Sequence, residues 1–423
     1  ADYAFNTGDL TGQGAPTKDT SGSYNVSELF GEISIPLVSD SFFTALTLNG
    51  AYRYSHYKMS NGRKVNTDTF KLGVDFAPIP DIRLRGGFNR AVRVPNIQEL
   101  FAPQIVALAG STDPCASVAV TSPACAAQGI AGGTPANPAA QYNGLIGGNP
   151  NLLPEKSDTK TLGVVIAPRS IPRLSLSVDY FDIKVKDAIQ GYGADAIVTA
   201  CTSGDASAEF CAANINRNAA GSLWLTPDGY IRDINTNVGS VQTKGFEFNA
   251  NYSREISESG SLSFSFVGTA LRKFETDNGL TEIYDCAGYY GPTCENPRSK
   301  WRHKLRVSYR STNGFGISAQ WRHLSSVKVE YRNESSTLNS PIIHAQDAKI
   351  GAQNYMDLTL TYDFGKNLTW RLGATNLLDR QPPLVTSSTT NSACSGTFCS
   401  GNTYPGTYDS MGRYVFTGVT MNF

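Results

Sequence analysis

Long segments in which apolar and polar residues alternate are the feature that most restricts how this chain can fold. In Phe70–Phe76, hydrophobic side chains occupy every second position, and Lys71, Gly73 and Asp75 lie between them. The same alternation recurs in three further segments, Leu174–Tyr180, Trp301–Tyr309 and Tyr355–Phe364. Because successive side chains of a β-strand point to opposite faces, a period of two predicts strands and not helices.

Alternation alone fits both a soluble β-sandwich and a transmembrane β-barrel, since each has one apolar and one polar face. The lengths of the segments separate these two architectures. Phe42–Tyr57 and Gly260–Lys273 are much longer than an ordinary strand of about five or six residues. The connections also alternate between short and long, as they do between the short periplasmic turns and long extracellular loops of a barrel. The sequence therefore predicts an all-β chain that forms a transmembrane antiparallel β-barrel.

Thirteen strands and five long loops follow from this pattern. The strands are expected near Asn25–Leu37, Phe42–Tyr57, Thr67–Ala77, Ile82–Val94, Asp158–Ala167, Leu174–Ile189, Val241–Glu255, Ser261–Lys273, Lys300–Arg310, Phe315–Val329, Asn354–Phe364, Leu368–Leu378 and Gly412–Phe423. The extracellular loops are expected at about 96–156, 191–240, 276–299, 333–353 and 381–410.

Two of these regions carry more specific expectations. In the sixth strand the alternation slips after Tyr180, which indicates either a bulge or a strand that leaves the membrane. The loop that follows this strand is expected to hold short helices at Ala194–Thr202 and Ala206–Asn214, and a hairpin around Trp224–Ile234.

An odd number of strands has a further consequence. Bacterial single-chain barrels have an even number of strands, and unpaired strand edges inside lipid are costly because no water satisfies their backbone groups. We therefore expect further strands before residue 1 or on another chain. The first residues, Ala1–Asp9, lack the basic start and apolar run of a signal peptide, so we expect either a cleaved signal or an upstream N-terminus.

Composition excludes several classes of protein. Lys and Arg total 36 residues, as do Asp and Glu, so the chain has no net charge and no basic excess that would indicate a nucleic-acid partner. No run of about 18 apolar residues predicts a transmembrane helix.

Eight cysteines fall into four close pairs, each inside a long connection: Cys115 with Cys125, Cys201 with Cys211, Cys286 with Cys294, and Cys394 with Cys399. None has the CxxC spacing of a zinc site. Four local disulfides in an oxidising compartment are the favoured interpretation, and each would contribute roughly 2–4 kcal/mol. Free buried thiols are the alternative.

Signals for catalysis or metal binding are weak. The chain has four histidines, His56, His303, His323 and His344, and no HExxH, GxSxG or P-loop motif. His303 and His323 share the apolar face with Trp301 and Trp321, which is typical of an interfacial belt. We therefore expect no catalytic residue, no metal site and no cofactor, and we expect that the protein is not an enzyme.

Several motifs, in a characteristic order, resemble those of TonB-dependent outer-membrane receptors. Arg83–Pro103 (RLRGGFNRAVRVPNIQELFAP) is similar to a segment in the second half of those barrels, and Gly148–Asp158 (GNPNLLPEKSD) resembles the next landmark. Gly239–Ala250 and Leu368–Asp379 follow in the family's order. Gly412–Phe423 ends on an aromatic residue, Phe423, and resembles the C-terminal assembly signal of outer-membrane barrels.

The resemblance implies a receptor with a signal peptide, an energy-coupling box, a plug domain and a barrel of about 22 strands. The first three are not in this sequence, so residues 1–423 are expected to be the C-terminal portion of such a barrel. The implied function is energy-coupled import of a scarce nutrient, namely a siderophore, cobalamin or an oligosaccharide. Implied partners are the lipid of a Gram-negative outer membrane, the TonB complex (through the N-terminal part), the barrel-assembly machinery and a small-molecule or oligosaccharide ligand. A structural or interaction subunit without transport is the alternative, and an outer-membrane enzyme is the weakest candidate.

Two groups of residues are candidates for functional contacts. The first comes from the family motifs: Arg90, Arg93, Pro95, Glu99, Asn149, Pro150, Pro154 and Glu155. These residues contact a substrate or plug, or they tie a loop to the barrel wall, and the second role is favoured for the charged ones. The second group consists of loop aromatics that either stack on a ligand or pack the loops: Trp224, Tyr230, Tyr284, Tyr289 and Tyr290.

Overall fold

The structure is a computed structural model that describes residues 19–39, 42–110, 113–116, 123–128, 130, 134–137, 141–386, 393–394 and 398–422. One antiparallel sheet dominates it, and thirteen long strands follow one another across this sheet in sequence order. They are β1 (Tyr24–Ser39), β2 (Ala45–Met59), β3 (Lys64–Ile79), β4 (Ile82–Arg93), β5 (Glu155–Ile166), β6 (Leu174–Lys186), β7 (Ser240–Ile256), β8 (Gly260–Asp277), β9 (Trp301–Ser311), β10 (Phe315–Leu324), β11 (Gln353–Phe364), β12 (Leu368–Thr375) and β13 (Tyr414–Met421).

The thirteen predicted strands are all present, although their ends differ from the prediction. The third strand is longer than expected, and β13 begins at Tyr414, two residues later than expected. The predicted end of that strand, Phe423, lies outside the described residues. Each strand pairs with the next one along the chain, and within the described residues β1 and β13 are not hydrogen-bonded to each other.

One face of this sheet is apolar and has no second layer of structure over it in the described part of the chain. Large side chains on this face are exposed, among them Leu72 at 60%, Leu162 at 64% and Val419 at 59%. A soluble β-sandwich buries such a face against a second sheet, whereas a membrane barrel presents it to lipid. The sheet is therefore a β-barrel wall, as the lengths of the strands and connections predict. Among the described residues no helix combines the length and the hydropathy that crossing a membrane requires.

Aromatic rings form a band on this outer face towards one end of the wall. The Tyr180 and Phe246 rings lie 5.4 Å apart, and the Phe248 and Trp301 rings lie 5.6 Å apart. His303 shares this face and accepts a hydrogen bond at Nδ1 from Trp301 Nε1, 2.9 Å away. The position of His303 inside the band agrees with an interfacial belt.

The slip in the sixth strand is not a bulge. β6 pairs with β5 and with β7 without any shift of register up to Lys186. Beyond Tyr180 the outer face instead becomes charged, where the Lys244 Nζ lies 3.2 Å from a carboxylate oxygen of Asp182. The bulge interpretation was wrong, and the change of polarity fits a strand that continues above the hydrocarbon layer. The nearest register shift lies in the next pair, between β7 and β8 at Lys244 and Gly245.

The two ends of the wall differ in their connections. All six connections at one end are short, whereas the other end has one tight turn at 60–63 and five long loops. These loops span residues 94–154, 187–239, 278–300, 325–352 and 376–413. They contain the helices α1 (Ile97–Phe101), α2 (Pro123–Ala126), α3 (Ala194–Ser203) and α4 (Ala208–Asn214).

The second long loop largely follows its prediction. Both helices are present, as α3 and α4. The hairpin forms between Ile215–Asn216 and Tyr230–Arg232, so its first strand precedes the predicted start at Trp224.

All eight cysteines are paired as the spacing predicts, and no cysteine is free. The four disulfides join Cys115 to Cys125, Cys201 to Cys211, Cys286 to Cys294, and Cys394 to Cys399. The interpretation as free buried thiols was therefore wrong.

The two faces of β11 should respond differently to charge. We expect Leu358→Arg, on the outer face, to lower the free energy of unfolding by roughly 2–4 kcal/mol, because lipid cannot solvate the guanidinium. Thr359→Arg, on the lumen face of the same strand, should cost much less. Unfolding by guanidinium chloride in lipid vesicles measures the free energy of unfolding of both variants. An equal decrease for the two variants would contradict the assignment of the faces.

Candidate functional site

The described parts of the five long loops do not stand apart from one another but pack into two compact bodies. The first loop body consists of residues 94–154 and 187–239, and its core includes Tyr142, Ile197, Leu223 and Ile231. In this core the Tyr142 hydroxyl donates a 2.6 Å hydrogen bond to Asp195. Burial is the main reason that the pKa of Tyr142 is raised.

A buried ion pair joins the two halves of the first loop body. Both terminal nitrogens of Arg217 donate to the Asp113 carboxylate at 2.7 and 2.9 Å, and these side chains are only 4% and 2% exposed. Arg217 also donates to Gln128 Oε1 through Nε and Nη2. Asp113 and Gln128 flank the Cys115–Cys125 disulfide, so this bridge holds the acceptors of Arg217 near one another.

The second loop body consists of residues 278–300, 325–352 and 376–413. Its core includes Tyr290, Val329, Ile350 and Tyr404, so all three loops contribute to it. The Tyr290 hydroxyl donates a 2.6 Å hydrogen bond to the backbone carbonyl of Asp347. Because no single loop supplies enough apolar surface for a core, the three loops depend on one another.

A buried carboxylate fastens two loops of the second body. Glu330 is 1% exposed and accepts hydrogen bonds from the backbone N–H groups of Thr293 and Cys294. Burial raises the pKa of the Glu330 carboxyl, although these donors favour its charged form. The carboxylate thereby holds the loop closed by the Cys286–Cys294 disulfide against residues 325–352.

The charged residues of the family motifs come together where β4 ends and β5 begins. Arg93 donates to both oxygens of Glu155 at 2.6 and 2.8 Å, and its Nη1 donates to Glu99 at 2.9 Å. Arg90 makes a bidentate ion pair with Asp158, in which Nε and Nη2 donate to the two carboxylate oxygens at 2.7 and 3.0 Å. This geometry favours the role of tying a loop to the wall over a contact with substrate.

The remaining motif residues support the same junction. Pro95 and Pro154 are buried. Arg63, in the tight turn between β2 and β3, donates to the backbone carbonyl of Pro150 at 2.8 Å. The Asn149 side chain donates to the carbonyl of Asn235 at 3.0 Å. The motif therefore links the first loop body to β4, to β5 and to the turn between β2 and β3, and sequence reasoning did not identify Arg63.

The loop aromatics differ in their availability to a ligand. Tyr290 is fully buried and Tyr284 is 8% exposed, so both side chains pack inside the second loop body. The interpretation of these two residues as ligand contacts was therefore wrong. Trp224 is partly buried against the core of the first loop body. Tyr230 and Tyr289 are also only partly exposed. Burial thus favours loop packing for Tyr284 and Tyr290, and the other three rings keep some exposed surface.

A cavity of about 520 Å³ opens on the lumen face, where the wall meets the second loop body. Its wall side comes from β6 to β10, and its upper side from residues 296–299 and 406–407. A neighbouring cavity of about 480 Å³ shares Thr269, Arg302, Leu324 and Thr407 with it. Sequence reasoning named none of the residues lining the first cavity. The only available signal was the polar face of β7 to β9.

The first cavity has both charged and aromatic lining. Its polar lining includes Glu247, Arg298 and Arg302, with Phe181 and Phe274 beside them. In the described part of the chain, no group of three or more His, Cys, Asp or Glu side chains is arranged to hold a metal ion.

The barrel wall, the loop bodies and the lumenal cavity define a β-barrel receptor. The family model described as "TonB dependent receptor-like, beta-barrel" matches residues 1–377, and the chain belongs to this family. No curated protein sequence matches the chain.

Solved structures of receptors share this fold. The ferric enterobactin receptor PfeA of Pseudomonas aeruginosa is 17% identical, with a TM-score of 0.62 over 96% of this chain and 47% of that chain. The siderophore receptor PirA of Acinetobacter baumannii is 13% identical, with a TM-score of 0.52 over 96% of this chain and 56% of that chain. The FrpB iron transporter of Neisseria meningitidis is 13% identical, with a TM-score of 0.51 over 96% of this chain and 46% of that chain. The chain thus spans about half the length of these structures, and the identities establish likeness of fold alone.

Breaking the buried ion pair should loosen the first loop body. Arg217→Ala leaves Asp113 buried without its partner, and such losses cost about 3–5 kcal/mol. We expect faster hydrogen exchange throughout residues 187–239, with the barrel strands unchanged. Arg232→Ala, which removes an exposed arginine of the same loop, is the control. Equal exchange in both variants would contradict the role of the pair.

The second loop body offers a parallel test. Glu330→Ala removes the acceptor of the Thr293 and Cys294 backbone N–H groups, and the buried N–H of Cys294 is left unpaired at a cost of about 1–3 kcal/mol. We expect limited proteolysis to cut residues 278–300 and 325–352 faster than in the parent protein. Glu334→Ala, at an exposed position of the same loop, should leave the cleavage rate unchanged. A matching increase in both variants would refute the proposed fastening.

Proposed function

We propose that this chain is part of an outer-membrane receptor that imports a scarce nutrient by energy-coupled uptake. The nutrient is a siderophore, cobalamin or an oligosaccharide. The observation that carries the proposal is the lumenal cavity beneath the loop bodies in a barrel of this receptor family. Ligand enters through the loops, binds by non-covalent contacts, and passes along the polar face of the wall.

Energy coupling and gating belong to the whole receptor in this proposal. The chain spans about half the length of the solved receptors, whose names describe uptake of iron or siderophores. We propose that its thirteen strands form the later part of a larger barrel in a Gram-negative outer membrane, inserted by the barrel-assembly machinery. A plug domain closes the lumen, and the TonB complex acts through the N-terminal part of the receptor.

A structural subunit of an outer-membrane assembly is the second candidate function. Compact loop bodies, held by disulfides and a buried ion pair, would also suit a surface that contacts other proteins. The lumenal cavity favours import, because a purely structural barrel has no need of a binding site in its lumen. We propose no catalytic role, and the family and its solved relatives are receptors and transporters.

Uptake by whole cells tests the import function. Cells of the source bacterium receive a labelled ferric siderophore, labelled cobalamin or a labelled oligosaccharide. The parent strain is compared with a strain lacking the gene and with a strain lacking the energy-coupling TonB protein. We expect one of the three ligands to enter the parent strain and neither mutant strain.

Two outcomes distinguish the candidate functions. Uptake of all three ligands that is unchanged by loss of the gene would overturn the import function. Recovery of the protein in a stable outer-membrane complex, combined with unchanged uptake, would favour the structural role.

A further inference from the structure

Several arginines on the lumen face of the wall form ion pairs with carboxylates. Arg85 makes a two-pronged ion pair with Asp179, with both distances at 2.7 Å. Arg322 donates to Asp357 at 2.8 Å and also to Asp409. Such pairs neutralise the wall locally, in keeping with a chain whose net charge is zero.

Two cations that line the cavities, Arg302 and Lys304, lack such a partner. Arg302 lies opposite Thr269 on β8 and Leu324 on β10, neither of which has charge to offer. Lys304 lies opposite Val267 on β8 and, on β10, the cation Arg322. Within the described part of the chain, neither Arg302 nor Lys304 has a carboxylate within ion-pair distance.

A third cation closes the cavity from the loop side. The guanidinium carbon of Arg298 lies 3.6 Å from the centre of the Phe274 ring, and its Nε is buried with no hydrogen-bond partner. Its nearest carboxylate is that of Glu295, at 3.4 Å from Nη2. Burial lowers the pKa of Arg298 from its ordinary value. The side chain thus lacks part of the hydrogen bonding that a guanidinium normally has.

Opposing charge is scarce at this place. The described lining of the two cavities contains a single carboxylate, that of Glu247. Arg298 has Glu295 as its partner, and Arg322 in the second cavity has Asp357 and Asp409. Arg302 and Lys304 therefore exceed the single carboxylate of the lining and leave positive charge in a concave, partly enclosed space. Concave walls of one sign concentrate the electric field and attract ligands of the opposite sign.

We propose that this lumenal cavity binds an anionic small molecule that carries carboxylate or phosphate groups, with Arg302 as the principal contact. The proposal rests on the import function and narrows its substrate class. An arginine fork matches a carboxylate or phosphate with two parallel hydrogen bonds, and Phe181 and Phe274 add apolar surface beside it. Volumes of about 520 and 480 Å³ lie within the range of about 300–1,000 Å³ that small-molecule sites occupy.

The β9 strand supplies a matched pair of variants for the test. Arg306 lies on the same face as Arg302, but it donates to Gln320 and lies outside both cavities. Pyrenetetrasulfonate, a planar fluorescent polyanion, is titrated with the whole purified receptor in detergent, and its anisotropy reports binding. We expect Arg302→Gln to weaken binding by about tenfold, the value of one charge-assisted hydrogen bond. Arg306→Gln should leave the Kd within about twofold, because its contact lies elsewhere.

A variant of opposite sign sharpens the test. Glu247→Gln removes the one negative charge of the lining, so it should tighten binding of the probe. Arg302→Lys should restore part of the affinity, because it keeps the charge and loses the fork. Equal losses for Arg302→Gln and Arg306→Gln, or weaker binding after Glu247→Gln, would overturn the anionic site.

The two proposals fail in different ways. If the cells import a neutral nutrient and Arg302→Gln does not change that uptake, the anionic site is wrong and the import function stands. If loss of the gene leaves uptake of every tested ligand unchanged, the import function is wrong, whatever the probe binds.

Discussion

Every backbone N–H and C=O group inside a hydrocarbon layer needs a hydrogen-bond partner from the protein, because lipid offers none. Continuous strand pairing from β1 to β13 satisfies this requirement across the wall. Pairing in a sheet places alternate side chains on opposite faces, so one choice of backbone creates both a lipid face and a lumen face. The exposed apolar side chains and the paired lumenal charges are two consequences of that single constraint.

The loops face the opposite problem. Outside the membrane they must bury apolar surface to stay ordered, and a larger body buries a larger fraction of its surface. They solve this by association, with two loops in one body and three in the other. Disulfides shorten the flexible stretches, and buried groups such as Arg217 and Glu330 fix how the loops meet. A buried ion pair is costly to break, so it favours one arrangement of the loops.

The lumenal cavity lies where these two systems join. The strands supply Arg302 and Glu247, and the second loop body supplies Arg298. Neither the strands nor the loops form the cavity alone. The strand register places its wall side, and the packing of the loops places its upper side. Within this region Arg322 meets carboxylates, as Arg85 does elsewhere on the lumen face, whereas Arg302 has no such partner.

The sequence by itself determined the thirteen strands, their faces, the four disulfides and the family. These properties depend on local spacing, because a strand shows its period within a few residues and each disulfide closes a short loop. Only the tertiary structure decided that Arg217 meets Asp113, which is 104 residues away. It also decided that Tyr290 is buried and that Arg298 and Arg302 share a cavity. These contacts arise from the way separate loops and strands pack in space, and no local pattern of residues encodes that packing.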